Sequence, residues 1–349
     1  MLGHNGFRML LCVSCLRAIS SSGIEITGSL MNLQHLKTFL LVAELGSLSK
    51  ASDRMRIAQP ALSRQMKLLQ AEIGVPLFER HRNGMKLTPA GDELLRRVSG
   101  QMRQLDQTYA DVRSLTGAPR GEVAMGIVPT VSHVLAGRLA YRVAADFPGI
   151  ALRVVEGYAG HQMEWLQRRE IDLAIMYGPA TDFHMKSTEL LVEELALVGP
   201  PGSELNAATP VPVMGIATLP LVLPSRPHGL RAVVENAAIK AKAKLNVRFE
   251  ADSFRVLKYL VEKGLGFTVL PLSAIAQESQ QGRLAHAPLI RPKVMRQIIL
   301  GVPESTTSHA TRTVIDLTLK EIARLVATGQ WHAHIHFKPN PDWARQSRR

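Results

Sequence analysis

From residue 31 onward, apolar positions recur in three successive helical rhythms. Leu36, Phe39, Leu40 and Ala43 make one stripe, and Gly46 ends it at a position suited to left-handed backbone angles. Ser47 is placed to cap a short second helix with Leu48, Ala51 and Met55 on one face. Beyond the tight connection Arg56-Ile57-Ala58, the residues Leu62, Met66, Leu69 and Ile73 recur at i, i+4, i+7 and i+11. Pro60 suits the start of that third helix, where a missing N–H costs nothing, and Gln59 before it is biased away from helical angles. "LFERHRNGMKLT" then reads as two extended runs around Asn83-Gly84, a strong hairpin signal. Thr88 and Pro89 open a long helix whose Leu95, Val98, Met102, Leu105, Tyr109 and Val112 alternate by threes and fours, a seam of nearly three heptads.

Gly117-Ala118-Pro119-Arg120-Gly121 breaks this helix, and the rhythm changes. "EVAMGIVP", "IALRVVEGY" and "DLAIMYG" read as strands, with the helices "HVLAGRLAYRVAADF" and "HQMEWLQRREI" between them. Strands alternating with helices imply a parallel sheet with crossovers. The pattern resumes with "PLVLPS", "LNVRFEA" and "FTVLP" around helices at "HGLRAVVENAAIKAK" and "SFRVLKYLVEKG", and two similar blocks predict two lobes. The expected divisions are an extension over 1–30, a helical unit with a hairpin over 31–88, a linker helix over 89–118, an α/β domain over 119–330 and a polar, disordered tail over 331–349.

Charge sharpens this picture. Lys and Arg number 42 against 29 acidic residues, a formal +13 that suits a polyanionic partner. Aromatics at 5% argue against a base-stacking single-strand binder. Cys12 and Cys15 have C-x-x-C spacing, but nothing nearby completes a zinc or redox site. His332, His334 and His336 alternate near the end without an evident fourth ligand. No metal or cofactor is expected. No run of about 18 apolar residues suggests a membrane span; the lack of a disulfide framework fits a reducing cytosol, the expected location. "MLLCVSCL" is too short and broken for a good secretory segment, and Met31 opens the patterned chain; residues 1–30 read as an upstream extension or as untranslated.

Two short helices, a tight turn and a polar-faced helix make a helix-turn-helix, whose second helix places its N-terminal part in the DNA major groove. The contact residues expected there are Gln59, Pro60, Ala61, Ser63, Arg64 and Lys67. Arg suits bidentate contact with guanine, and Ser reaches a base edge or a phosphate. The hairpin would form a basic wing carrying Arg80, Lys86 and, as its expected DNA contact, Arg82. The linker seam, centred on Leu95, Val98, Met102 and Leu105, would pair two copies so that two half-sites are read.

The stretch "TFLLVAELGSLSKASDRMRIAQPALSRQMKLLQAEIGVPLFERHRNGMKLTPAG" resembles the winged helix-turn-helix of the LysR-type transcriptional regulators. Ser52 stands where the family usually has alanine, and Gln70-Ala71-Glu72 where it often has Leu-Glu-Glu, read here as a change on an exposed face. The resemblance implies an N-terminal winged helix-turn-helix, a linker helix and an α/β two-lobed effector domain of the type 2 periplasmic-binding-protein kind. The expected partners are duplex DNA, a second copy in a dimer or tetramer, RNA polymerase and a small anionic metabolite. In such folds ligand lies between the lobes near strand ends. "PTVS" offers Thr130 and Ser132, and "PSRPHGLR" offers Ser225, Arg226 and His228. Helix N-termini attract anions and Arg226 would add a full charge; the same hydroxyls could equally do no more than cap helices. "PSRPHGLR" is also similar to the nitrogen-assimilation and aromatic-catabolism branch of the family. A solute-binding protein without a DNA role would leave residues 31–118 unexplained, and no nucleophile triad, zinc helix or phosphate loop points to an enzyme.

Overall fold

A computed structural model describes residues 32–82, 84–114, 117–178, 185–303 and 307–338. Cys12, Cys15, Asn83 and everything past Lys338 lie outside the described residues. The chain divides into two compact units at Leu95 and Arg96.

The first unit holds α1 (Leu33–Leu45), α2 (Leu48–Met55), α3 (Gln59–Ile73), and a hairpin of β1 (Phe78–His81) and β2 (Gly84–Leu87), followed by α4 (Pro89–Ser114), whose C-terminal part belongs to the second unit. The caps at Gly46 and Ser47 follow the sequence reading, and Asn32 adds one that it did not name. Asn32 accepts from the Gln34 N–H, Ser47 accepts from Lys50, and Gly46 is left-handed at φ 60°. Leu36, Phe39, Val42, Ala51, Leu62, Met66, Leu69 and Leu77 are buried, and the Phe39 and Phe78 rings pack 5.3 Å apart. Each large side chain so buried contributes about 1.5–3 kcal/mol.

Two positions that look peripheral in sequence hold this unit together. The Ser52 hydroxyl donates to the Ile57 carbonyl at 2.6 Å, closing the turn between α2 and α3. Gln70 is half-buried rather than exposed: its side-chain oxygen accepts from the Leu77 and Phe78 N–H groups at 2.8 and 3.2 Å, tying α3 to the first wing strand. Gly91 is required by close approach, since a Cβ there would lie 2.1 Å from the Leu77 carbonyl oxygen. Gly84, at φ 133°, is pressed equally hard against the Gly46 carbonyl.

The second unit begins with β3 (Gly121–Ile127), α5 (Pro129–Asp146), β4 (Ile150–Glu156), α6 (Ala159–Gln167), β5 (Leu173–Tyr177), β6 (Met185–Gly199) and β7 (Val211–Pro212). It continues with β8 (Pro220–Leu223), α7 (Gly229–Lys240), β9 (Asn246–Glu250), α8 (Phe254–Glu262), β10 (Thr268–Pro271) and α9 (Ala276–Gln280). It ends with β11 (Ala285–Ile290), β12 (Met295–Pro303), α10 (His309–Ala327) and β13 (Ala333–Ile335). Strand β6 serves two lobes. Its first part, Met185–Glu194, pairs with β12, and its last residues pair with β10 and β11. Lobe one runs β4-β3-β5-β12-β6, parallel among β3, β4 and β5. Lobe two gathers β10, β11 and β7 around the end of β6, with the parallel pair β8-β9 beside β10. Each lobe has its own apolar core, one around Leu135, Leu173 and Ile298, the other around Val222, Leu257 and Val269.

The expected disordered tail is corrected over residues 331–338. β13 pairs with β6, and Trp331 is fully buried with its indole N–H donating to Glu193. His332, His334 and His336 are exposed, while Ala333 and Ile335 are half-buried, so the histidine alternation is the outer face of a strand.

Within the second unit α4 docks by a polar stripe. A Cβ on Gly100 would lie 2.3 Å from the Arg168 carbonyl, Arg103 donates to the Glu170 carbonyl at 2.5 Å, and Asp111 accepts from the His309 N–H at 3.0 Å. The apolar seam lies on the opposite face. Tyr109 and Val112 are exposed, Leu95, Val98 and Leu105 are half-buried, and Met102 is already buried in the single chain.

Candidate DNA interface and effector cleft

In the first unit the apolar back of α3, Leu62, Met66 and Leu69, turns its polar front outward. Gln59, Pro60, Ala61, Arg64 and Lys67 are exposed, and Ser63 is half-buried. Pro60 sits in the first turn, as the sequence predicts. Ser49 from α2 donates to the Gln59 side chain at 3.3 Å and orients it. On the hairpin, Arg80, Arg82 and Lys86 are exposed. Arg54 and Arg56, exposed at the end of α2, add two cations just ahead of α3; Arg56 holds a left-handed φ of 54°. Neither was among the contact residues expected from the sequence, where Arg56 figures only as part of the turn.

In the second unit the chain ends of β3 and β8 lead into α5 and α7, whose N-termini border one cleft between the lobes. Its inner chamber is lined by Pro129, Thr130 and Tyr177 from lobe one and by Pro224, His228 and Leu257 from lobe two. The free space there is about 20 Å³, room for roughly one water molecule. His228 is buried, and its Nδ1 accepts from the Leu230 N–H at 3.0 Å, which leaves Nε2 to carry the proton. Burial pushes its pKa down to about 4, so the ring is a neutral donor at pH 7. Across the cleft, the Tyr158 hydroxyl donates to the Asp252 carbonyl, and the Tyr158 ring meets the His228 ring edge-on at 4.4 Å. Ser225 faces Asp252, donating to its carboxylate from both hydroxyl and N–H at 2.6 and 2.9 Å and holding that carboxyl below its usual range.

Of the five residues expected at the effector site, Thr130 and His228 line the chamber. Ser132 is buried in the first turn of α5, and Ser225 acts through Asp252. Arg226 is not in the chamber. Its side chain is 72% exposed and is held to Glu235 at 2.7 Å.

Comparison with known proteins settles the relationship. Residues 33–92 match the bacterial regulatory helix-turn-helix protein of the lysR family, and residues 116–323 match the LysR substrate binding domain. The chain is 30% identical over 300 residues to the HTH-type transcriptional regulator BbuR of Bordetella bronchiseptica, covering 86% of this chain and 92% of that one. The chain belongs to the LysR family of transcriptional regulators. It is also 32% identical over 248 residues to the nitrogen assimilation regulatory protein nac of Escherichia coli, 70% of this chain and 79% of that one. Full-length CbnR in complex with its target DNA has the same fold, with a TM-score of 0.62 at 19% identity over 84% of this chain and 99% of that one. The protein is therefore a DNA-binding regulator with an effector-binding domain, not an enzyme. Among the described residues no helix is long and apolar enough to cross a membrane.

The cation tied to the inner chamber of this LysR-type regulator is Arg296, at the start of β12, which reaches the chamber through Thr130 rather than lining it. It is 3% exposed and donates from Nε to Glu193 at 2.6 Å and from a terminal nitrogen to Thr130 at 2.8 Å. The Thr130 hydroxyl in turn lies 3.0 Å from that of Tyr177, and the guanidinium lies over the Tyr177 ring at 4.7 Å. Burial disfavours the charge on Arg296, but Glu193 and Tyr177 beside it outweigh that and raise its pKa. Its second terminal nitrogen is buried without a partner. Glu193 lies where β6 passes from one lobe to the other and accepts from Trp331 and Ser273 on its second oxygen. One buried carboxylate thus gathers groups from both lobes.

Proposed function

We propose that the regulator reads operator DNA with the front of α3 and is switched by a small, compact anion in the inner chamber. Gln59, Pro60, Ala61, Ser63, Arg64 and Lys67 contact base edges and phosphates in the major groove, and Arg82 reaches the backbone or minor groove from the wing. Two or four copies, joined through α4, bind repeated half-sites and act on RNA polymerase in the cytoplasm. The observation that carries the switch is the buried Arg296, which donates to Thr130 and has a second terminal nitrogen without a partner. A carboxylate reaching the Thr130 hydroxyl and the His228 Nε2–H would sit in that field, near two helix N-termini. Because the chamber has room for roughly one water molecule, ligand entry requires the lobes to part or Tyr158 to swing out. Ligand then shifts DNA affinity to the extent that it prefers one arrangement, commonly about 1–3 kcal/mol or roughly 5–150-fold.

Arg64→Ala is expected to cost about 1–3 kcal/mol in operator affinity and to relax preference at one base pair. Binding to a set of single-base operator variants checks this. A uniform loss on all sequences would make Arg64 a phosphate contact, and an unchanged affinity would remove it from the interface.

For the chamber, Thr130→Val keeps the shape and deletes the hydroxyl. With small mono- and dicarboxylates screened by calorimetry, the acid that binds the parent is expected to bind the variant about ten-fold more weakly, the worth of a hydrogen bond to a charged group. Operator binding without ligand should be unchanged. A variant that keeps the parent's response places the effector elsewhere.

A further inference from the structure

The Tyr158–Asp252 bridge divides the cleft between the lobes into two compartments. Outside it lies a second, open chamber of about 570 Å³. That is a usual volume for a small-molecule site, and the inner chamber is far below it. The two differ in chemistry as well as size.

The outer walls are aromatic. Tyr158, His161 and Trp165 line one side and Phe254 the other. The His161 and Trp165 rings are within 24° of parallel at 6.0 Å, and His133 meets Phe254 edge-on at 5.8 Å. Trp165 is pinned: its ring lies so close over Gly157 that a Cβ there would be 2.5 Å away. Rigid rings of this kind offer stacking area without a large ordering cost.

The charges on the lining are unequal. Glu156 and Asp252 supply two carboxylates, and Arg255, exposed, supplies one guanidinium. His133 is held towards its neutral form by burial and by the nearby Lys258, although Glu278 and Glu156 pull the other way. Aromatic faces beside a carboxylate excess favour a cation over an anion. We infer that the outer chamber is a binding site for a planar aromatic amine, its ring between the Trp165 and Phe254 walls and its nitrogen towards Glu156 and Asp252. This ligand is of opposite charge to the one proposed for the inner chamber, and the inference stands on the outer lining alone. Because Tyr158, Asp252 and Phe254 border it, an occupant also touches the bridge that closes the cleft.

The test uses two probes with the same ring and opposite charges, tryptamine and indole-3-acetate, titrated into the full-length protein and followed by saturation-transfer NMR. Tryptamine is expected to saturate and to bind at least about ten-fold more tightly than indole-3-acetate. Glu156→Gln, on an exposed side chain, should narrow that preference roughly five-fold. His161→Ala, also exposed, should weaken tryptamine by a similar factor and leave the fold intact. Trp165→Leu should weaken it further. Equal or tighter binding of indole-3-acetate, no binding of either probe, or parent affinity in all three variants would each overturn the inference.

Discussion

Glu193→Leu is expected to destabilise the effector domain by about 3–5 kcal/mol, the usual cost of stranding one member of a buried ion pair. The Arg296 guanidinium and the Glu193 carboxylate are each almost completely buried, at 2% and 1% exposure. Removing the carboxylate leaves a charged guanidinium with only the Thr130 hydroxyl and Tyr177, both neutral, beside it, and with one terminal nitrogen already unsatisfied. It also strips the partner from the buried Trp331 indole N–H. For a unit of this length, 2–4 °C per kcal/mol is typical, so its melting temperature should fall by roughly 6–20 °C. The double variant Glu193→Leu, Arg296→Met is the informative control. Replacing a whole buried pair with apolar groups of similar volume is often near neutral, so it should recover most of the loss. Urea unfolding followed by tryptophan fluorescence, with Trp331 beside the altered site, measures both. If the double variant is no more stable than the single one, the pair does not owe its effect to electrostatics. If the single variant is as stable as the parent, the buried pair is not formed.

The same pair marks the boundary of what the sequence made legible. The first unit was readable because its signals are local. Ser47, Gly46, Pro60 and Thr88 each act within a few residues, and the spacing of Leu62, Met66 and Leu69 needs no distant partner. Even there, Gln70 misled, since its role as acceptor for the wing depends on strand residues seven and eight positions on. In the second unit local patterning found the βα blocks but not β6. That strand, "MKSTELLVEELALVG", carries Glu189, Glu193 and Glu194, and a buried carboxylate is indistinguishable in sequence from an exposed one. Its partner Arg296 lies 103 residues away. Arg226 looked like the cleft cation because it adjoins a helix start, yet Glu235 on α7 holds it at the surface. The polar tail misled for a related reason. Its strand alternates histidines with half-buried Ala333 and Ile335, and composition outweighed that period.

Tyr109→Glu is expected to lower affinity for a two-half-site operator by about 10²–10⁴-fold while leaving single half-site affinity near the parent's. Helix α4 has two unlike faces. At ~100° per residue, Gly100, Arg103, Gln107 and Asp111 fall on one side, and Val98, Leu105, Tyr109 and Val112 fall on the other. The first side is engaged in the effector domain of the same chain. The second carries Tyr109 and Val112 at 64% and 62% exposure, an unusual outlay of large apolar surface for a helix already docked by its other face. A second copy of α4 meeting that seam would cover it. Met102, buried without a partner copy, contributes to the single chain, so the part of the seam open to a partner shifts towards Leu105, Tyr109 and Val112. A glutamate at Tyr109 stays in water in the free chain and should not disturb its fold. In a paired seam it becomes a charge without a partner, which is strongly unfavourable. Losing the pair removes the second half-site's effective concentration, and that accounts for the size of the expected drop. Sedimentation equilibrium should show the variant as a monomer at concentrations where the parent is assembled. Unchanged assembly together with unchanged operator affinity would mean that the seam faces solvent in the working regulator and that copies meet through another surface.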